Sequence, residues 1–234
     1  MQTSRPKRRS RVGRPSNGET AQRAELLVDA AVEVFVEMGY KGASIEAIAR
    51  RANISKQTIY ARFPTKAELF KEIMRILSER VRTQFEAILV DGADLEAVLM
   101  RYGENLISFL GCKEVNGVTQ TIVGALPDFP ELAEHFWHLA ISDAPNPLAA
   151  YLQAQRDRGL LRFKDAVQAA EHFEGLCISP LFLMRAMIGL PQQYSPSELY
   201  HHLQEAIRIF LASYGASGRK TPSTNRRTRV SSDK

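Results

Sequence analysis

Apolar side chains recur along most of the chain with a period near 3.6 residues, which is typical of amphipathic helices. The period predicts a first helix over residues 20–38, and Gly39 should end it as a C-cap. Two short helices and a long one, over 65–89, should follow. No alternating strand pattern competes with these helices, so the sequence predicts an all-α protein. The apolar face of the first helix comprises Leu27, Ala30, Ala31, Val34, Phe35 and Met38.

The two short helical runs are separated by a single interruption at Asn53. Ser44 and Ser55 stand just before the two runs, where a side-chain oxygen can accept a hydrogen bond from a free helical N–H. Asparagine tolerates the left-handed conformation that a tight reversal requires. This spacing predicts a helix–turn–helix. Its shared core with the neighbouring helices should comprise Phe35, Ile48, Ile59, Phe63, Leu69 and Phe70.

The second short helix carries polar residue types that hydrogen-bond base edges and phosphates, on an element thin enough for the major groove of DNA. Thr65 and Glu68 form a capping box at the start of the long helix, where free N–H groups and Lys66 could face a phosphate. The alternative is that these residues are solvated side chains of a small bundle. Their combination favours DNA binding, and the predicted contacts are Ser44, Ser55, Lys56, Gln57, Thr58, Tyr60, Arg62 and Lys66.

The remainder of the chain is again helical by pattern. Asp94 should cap one helix, Ser195 and Glu198 should form a capping box on the last, and Pro180 should kink the one before it. The predicted helices span 94–110, 114–125, 130–142, 146–158, 166–189 and 197–214.

Residues 39–70 resemble the DNA-binding domain of the tetracycline-repressor (TetR) family. The matching residues are Gly39, Tyr40, Ser44, Ile48, Ala49, Ile54, Ser55, Thr58, Tyr60, Phe63, Lys66 and Leu69. The chain departs from the family at Asn53, where glycine is usual, and at Arg62, where histidine is frequent. Residues 121–132, together with Phe136, Trp137, Tyr151 and Leu152, resemble the C-terminal domain of the AefR-like branch.

The resemblance implies a three-helix DNA-binding domain over 19–70, joined by the long helix to a ligand-binding and dimerisation domain over 71–214. Residues 1–18 and 215–234 remain as basic tails. The first contains six basic residues and no acid, and the second has a net charge of +5, although the whole chain has only +5. Such polar segments should be disordered when free. Arg11 precedes a Gly-Arg-Pro sequence, whose arginine is Arg14, and this arm is suited to the minor groove, although both arginines could serve solubility alone.

Dimerisation is expected because one helix–turn–helix reads only a few base pairs. Residues 173–190 are apolar nearly all round, which suits a helix covered by its own domain and by a partner. The alternative is that this helix and the last one only complete the core of the monomer. The predicted interface comprises Leu176, Leu181, Met184, Ile188, Leu199, Leu203, Ile207 and Phe210.

A regulator also needs an input, and a small hydrophobic ligand could bind between the C-terminal helices. The residues predicted to line this site are Phe109, Thr121, Trp137, Leu139, Tyr151, Phe173, Cys177 and Met184. Each could instead belong to the core. The favoured function is a repressor that binds a palindromic operator in double-stranded DNA as a homodimer and is released by this ligand. The alternatives are an architectural DNA-binding protein without an effector and an enzyme with a buried apolar site.

Several other classes of protein fit the sequence poorly. Cys112 and Cys177 cannot form a disulfide framework, and there is no phosphate-binding glycine loop or nucleophile elbow. His135 and His138 could approach a metal, but a solvated surface is the better interpretation. No signal peptide or apolar run of eighteen residues occurs. We therefore expect no cofactor, metal, catalysis or membrane contact, and a cytoplasmic protein associated with the bacterial nucleoid.

Overall fold

The computed structural model describes residues 17–138, 146–179, 183–185, 188, 190 and 195–216. The predicted all-α fold is confirmed, and within these ranges the only β pairing is an isolated bridge between Leu161 and Gly215. The helices are α1 (Asn17–Gly42), α2 (Ile45–Arg51), α3 (Lys56–Tyr60), α4 (Lys66–Glu86), α5 (Leu95–Gly111), α6 (Lys113–Ala125), α7 (Pro130–Trp137), α8 (Pro147–Asp157), α9 (Ala166–Cys177) and α10 (Pro196–Tyr214).

The chain divides into two compact units that are not contiguous in sequence. The first unit comprises Met1–Arg80 and Lys113–Ala144, and the second comprises Val81–Cys112 and Pro145–Lys234. The sequence suggested instead a boundary after residue 70, with α6 and α7 in the second domain. The difference arises because α6 packs against α1, and α7 packs against α6.

The core of the first unit is built on α1. Five of the six residues predicted for its apolar face are buried, as are all six residues of the predicted shared core. The backbone of Gly39 has φ +67°, so the α-helical conformation breaks where the sequence predicted a C-cap. Met38 was predicted on the buried face but is 51% exposed, because it lies in the last turn before this break.

The second unit encloses a separate core formed by Phe85 and by α5, α8, α9 and α10. The start of α10 has the predicted capping box between Ser195 and Glu198. The prediction of a continuous helix over 166–189 was wrong. Helix α9 ends at Cys177, and Ile178 is extended, with φ −103° and ψ 103°. Pro180, three residues after Cys177, favours this early end, because helices usually stop at or before the residue that precedes a proline.

Candidate nucleic-acid interface

The turn between α2 and α3 has the geometry that the sequence predicted. Asn53 adopts φ +53°, the left-handed region. Ser44 Oγ accepts a hydrogen bond from Ala47 N at 3.1 Å, and Ser55 Oγ accepts one from Thr58 N at 3.1 Å. The two hydroxyl groups therefore cap the two helices. They fix the direction in which α3 leaves the turn.

Helix α3 has one buried face and one exposed face. Ile59 is 1% exposed and anchors the helix in the core of the first unit. Lys56, Gln57, Thr58 and Tyr60 are all exposed. This arrangement brings four of the predicted DNA contacts together on one open surface. Ser55 borders it and bonds the Thr58 hydroxyl across 2.8 Å.

Lys56 forms one electrostatic contact on this surface. Its Nζ atom lies 3.6 Å from Oε1 of Glu46, and both side chains are well exposed. Exposed ion pairs of this kind contribute roughly 0–1 kcal/mol, so a phosphate could readily compete for the lysine.

A cluster that sequence reasoning missed holds α2 against α1. Arg51 NH2 donates to Glu37 Oε2 at 2.7 Å, and Arg51 NH1 donates to Glu33 Oε2 at 2.8 Å. The hydrogen bond from Arg51 lowers the pKa of Glu37, while both glutamates raise the pKa of Arg51. The available signal was the four-residue spacing of the two glutamates on α1, one helical turn apart.

Lys66 occupies a different position from the one the sequence suggested. Its ammonium donates to the main-chain oxygens of Tyr40 at 2.7 Å and Ala43 at 3.0 Å, with Lys41 O at 3.4 Å. The Nζ atom also lies 4.6 Å from the centroid of the Tyr40 ring. These bonds occupy the three N–H donors of an ammonium, so the geometry does not support a phosphate contact by this side chain.

Arg62 lies just beyond the exposed face of α3. Its guanidinium carbon is 5.0 Å from the centroid of the Phe63 ring, and NH2 is 3.3 Å from Glu72 Oε1. Glu72 is shared with Arg75, whose hydrogen bond is the main cause of the lowered pKa of Glu72. The predicted contacts Arg11 and Arg14 lie outside the described residues.

The eight predicted pocket residues do not all lie in one place, but four of them belong to the core of the second unit. Tyr151, Phe173 and Cys177 are buried in the second unit, and Phe109 packs against its core. Thr121 belongs to the first unit, and Met184 is 62% exposed. The side chain of Trp137 and all of Leu139 lie outside the described residues. Burial of the Cys177 thiol raises its pKa to about 12, which agrees with a role as a small apolar residue.

Sequence reasoning also missed a polar pair inside the second unit. The Tyr102 hydroxyl donates to Glu174 Oε1 across 2.6 Å. Burial raises the pKa of Glu174 from its ordinary value, and it raises the pKa of Tyr102 as well. Also in the second unit, the Tyr151 hydroxyl is buried without a hydrogen-bond partner among the described residues. Helical period alone cannot identify such groups, because it does not show which helix packs against which.

An open groove of about 810 Å³ runs between α5 and α10 in the second unit. Its apolar floor includes Met100, Ile207 and Leu211, and Arg101 and Arg208 lie among the charged residues that line it. None of the residues predicted to bind a ligand lines this groove. The predicted pocket and the observed groove therefore share no lining residue.

The predicted dimer residues fall into two groups. Leu203, Ile207 and Phe210 are 1%, 4% and 0% exposed, so their side chains pack in the core of their own chain and offer almost no surface to a partner. For these three, the alternative of a monomer core is correct. Met184 and Ile188 are 62% and 63% exposed. Leu176 and Leu199 are partly buried, and Leu181 lies outside the described residues.

The described part of the chain contains no group of three or more His, Cys, Asp or Glu side chains placed to hold a metal ion. None of its helices combines the length and apolar character needed to cross a membrane.

Comparisons with known proteins agree with this architecture. Residues 27–73 match the model for bacterial regulatory proteins of the tetR family, and residues 97–216 match the C-terminal domain of AefR-like transcriptional repressors. The chain therefore belongs to the TetR family of transcriptional regulators, with an AefR-like C-terminal domain. The helix–turn–helix is accordingly a DNA-binding domain.

Individual relatives support the same family. The chain is 38% identical to the uncharacterised HTH-type transcriptional regulator YhgD of Bacillus subtilis over 60 residues, which cover 26% of this chain and 31% of YhgD. It spans less than two thirds of the length of the first curated relatives it matches.

Solved structures extend the likeness over most of the chain. A TetR-family regulator from Mesorhizobium loti superposes with a TM-score of 0.75 at 28% identity, covering 84% of this chain and 98% of its own. The flavonoid-responsive regulator FrrA superposes with a TM-score of 0.68 at 23% identity, covering 85% and 100%. At that identity, the likeness to FrrA shows the fold alone.

Proposed function

We propose that this regulator is a homodimeric repressor that reads a palindromic operator and is released by a small hydrophobic ligand. The observation that carries the DNA-reading step is the division of α3 into a buried anchor, Ile59, and an exposed face from Lys56 to Tyr60. A helix with this division can enter the major groove while its scaffold stays rigid. Gln57 would contact a base edge, Lys56 would contact a phosphate, and Thr58 and Tyr60 would contact bases or phosphates.

Selection of bound duplexes from a random DNA pool tests this step. We expect one enriched motif with two inverted half-sites, about 34–36 Å apart or a multiple of this spacing. Enrichment of an asymmetric single site would contradict the homodimer, and no enrichment would contradict specific reading. The protocol should be repeated with Arg11 and Arg14 replaced by alanine. If the arm enters the minor groove, the A·T preference beside the half-sites should weaken.

The proposed dimer contact uses the apolar side chains that remain open on the second unit. Leu183, Met184, Ile188 and Leu190 are between 39% and 63% exposed within a span of eight residues. Large apolar side chains exposed so close together in the chain favour an interaction site. A symmetric contact through this surface would bring the second DNA-binding domain into the assembly.

The proposed ligand site lies in the second unit, among Tyr151, Phe173, Cys177 and Phe109. The unpaired Tyr151 hydroxyl supports this site, because a buried polar group without a partner favours a bound ligand or water. A hydrophobic ligand with one hydrogen-bonding group would suit it. The structural neighbour FrrA is named as flavonoid-responsive, which offers a first compound class to test.

The proposed route from ligand to DNA passes through α6. The chain leaves the second unit at Cys112 and enters the first unit at Lys113, where α6 begins. Helix α6 packs directly on α1, the core helix of the DNA-binding unit. A ligand that shifts the α5–α6 connection would therefore bias the setting of α1. Such a ligand must bind the two states with different affinities, since otherwise it shifts nothing.

Repression is proposed over activation because the C-terminal match is to AefR-like transcriptional repressors. Regulation is likewise proposed over catalysis, because the similar proteins are regulators. Transcription in vitro from a promoter that contains the selected operator tests the first point. The protein should lower transcript yield, and the ligand should restore it. A protein-dependent rise in yield would indicate activation.

A further inference from the structure

Lys66 joins the two ends of the helix–turn–helix. Its acceptors, the main-chain oxygens of Tyr40, Lys41 and Ala43, lie in the segment just before the cap of α2. Lys66 itself is the first residue of α4, which follows the turn after α3. One ammonium therefore ties the chain entering the motif to the chain leaving it. We call this arrangement the Lys66–carbonyl site.

The Lys66–carbonyl site is attached to the core through Tyr40. The Tyr40 ring stacks on Phe35 at a centroid distance of 5.9 Å, and its edge contacts with Phe70 and Phe129 are at 5.2 Å and 4.9 Å. The ammonium covers this ring as well as bonding the main chain of Tyr40. A movement of Lys66 would therefore also displace Tyr40 and the segment that joins α1 to α2.

The Lys66 ammonium is held by main-chain carbonyl dipoles and by the Tyr40 ring. None of the described carboxylates forms an ion pair with it, and partial burial lowers the pKa of Lys66. Removing a charge from water without a counter-ion is unfavourable, so the carbonyls must compensate. Main-chain oxygens at the end of a helix suit this role, because a cation is favoured there, and Tyr40, Lys41 and Ala43 lie at the end of α1.

We propose that Lys66 is a positioning residue for DNA recognition: it sets the angle at which α3 is presented and does not itself bind phosphate. This inference rests on the proposed reading of DNA by α3. It differs from the sequence-based expectation, in which Lys66 supplied a phosphate contact. Both roles require a positive charge, but only a phosphate contact releases counter-ions when DNA binds.

Salt dependence separates the two roles. Each phosphate contact contributes about 0.9 to the slope of log affinity against log salt concentration, or about 1.8 for a symmetric dimer. Lys66→Met keeps the aliphatic stem and removes the charge. Lys66→Arg keeps the charge, but its planar fork cannot direct three donors from one nitrogen toward three carbonyls. Lys56→Met is the matched control, because the Lys56 side chain is 60% exposed on α3 and its ion pair with Glu46 is exposed as well.

The experiment measures affinity for the operator selected by the wild-type protein, across a series of KCl concentrations. It is done at a temperature where circular dichroism shows every variant folded. We expect both Lys66 variants to bind about tenfold more weakly at every salt concentration, as for a lost charge-assisted hydrogen-bond set. Their slopes should equal that of the wild type. Lys56→Met should instead lower the slope by about 1.8.

Three outcomes would overturn the proposal. The phosphate role would be restored if Lys66→Met lowered the slope as Lys56→Met does while Lys66→Arg bound normally. Wild-type affinity in both Lys66 variants would remove any role in recognition. Failure of both variants to fold would assign Lys66 to folding alone. If the wild-type protein itself selected no DNA, the proposed function would fail, and this inference with it.

Discussion

The Thr121 hydroxyl on α6 bonds the main-chain oxygen of Phe35 on α1 across 3.0 Å. The same hydroxyl lies 2.8 Å from Gly117 O in its own helix, so its single proton is shared between two helices. Thr121 is one of only two buried polar side chains identified among the described residues. The bond fixes the register of α6 on α1, the packing through which a signal could reach the DNA-binding motif.

Thr121→Val should weaken this attachment. The substitution keeps the volume and removes the hydroxyl, so we expect a loss of about 1 kcal/mol in the free energy of unfolding, measured in urea. Thr119→Val is the control, because the Thr119 hydroxyl bonds only Val115 O within α6. An equal loss in both variants would show that the bond to α1 adds nothing.

Gly117 tests the same packing sterically. A Cβ atom at this position would lie 2.6 Å from Cγ1 of Val36 on α1. Gly117→Ala should therefore destabilise the protein by about 1–3 kcal/mol through overpacking. Gly124→Ala on the same helix meets nothing within 4 Å and should stabilise it by up to about 1 kcal/mol, because alanine favours helix. Thermal unfolding of the two variants shows whether each substitution lowers or raises the unfolding temperature. Equal shifts would contradict the close approach of α6 to α1.

Asn53 tests the turn of the recognition motif. Its φ of +53° strains any residue with an ordinary side chain. Asn53→Ala should lower the free energy of unfolding by about 1 kcal/mol. Asn53→Gly should fold at least as well at this position, since glycine enters the left-handed region freely. Chemical denaturation ranks the three proteins. If the Asn53→Ala and Asn53→Gly proteins had equal free energies of unfolding, the turn would have to relax out of this conformation.

The helix–turn–helix could be predicted in detail because its determinants are local. Ser44, Ser55 and Asn53 act on backbone groups within three residues of themselves, and Gly39 ends its own helix. Ile48 and Ile59 could be placed in the core because a helical period identifies the apolar side of each short helix.

The second unit was less predictable because its determinants are tertiary. The period correctly marked Leu203 and Phe210 as apolar, but it cannot say whether the same chain or a partner covers them. The packing of α6 on α1 depends on Gly117 and Val36, which are far apart in sequence. The sequence suggested a phosphate contact for Lys66, because no local signal indicates that the carbonyls of Tyr40 and Ala43 point toward it.

The proposed dimer surface can be separated from the core by two substitutions. Met184→Glu places a charge on a side chain that is 62% exposed, so it should leave the fold intact and shift the dimer toward monomer. Phe210→Ala removes a side chain with no exposure and should cost about 3–5 kcal/mol of stability. Analytical ultracentrifugation and denaturation measure the two effects. A Met184→Glu protein that stays dimeric at low concentration would place the interface elsewhere.

The most direct test of DNA recognition by α3 is a repeated selection from a random DNA pool, using wild-type protein and Gln57→Ala. We expect the variant to lose base preference at one position, and the loss should recur at the symmetric position of the opposite half-site. A lost bidentate contact should reduce discrimination there by about 1–3 kcal/mol. An unchanged motif would contradict the claim that α3 reads the operator, and a change in only one half-site would contradict its presentation twice by a symmetric dimer.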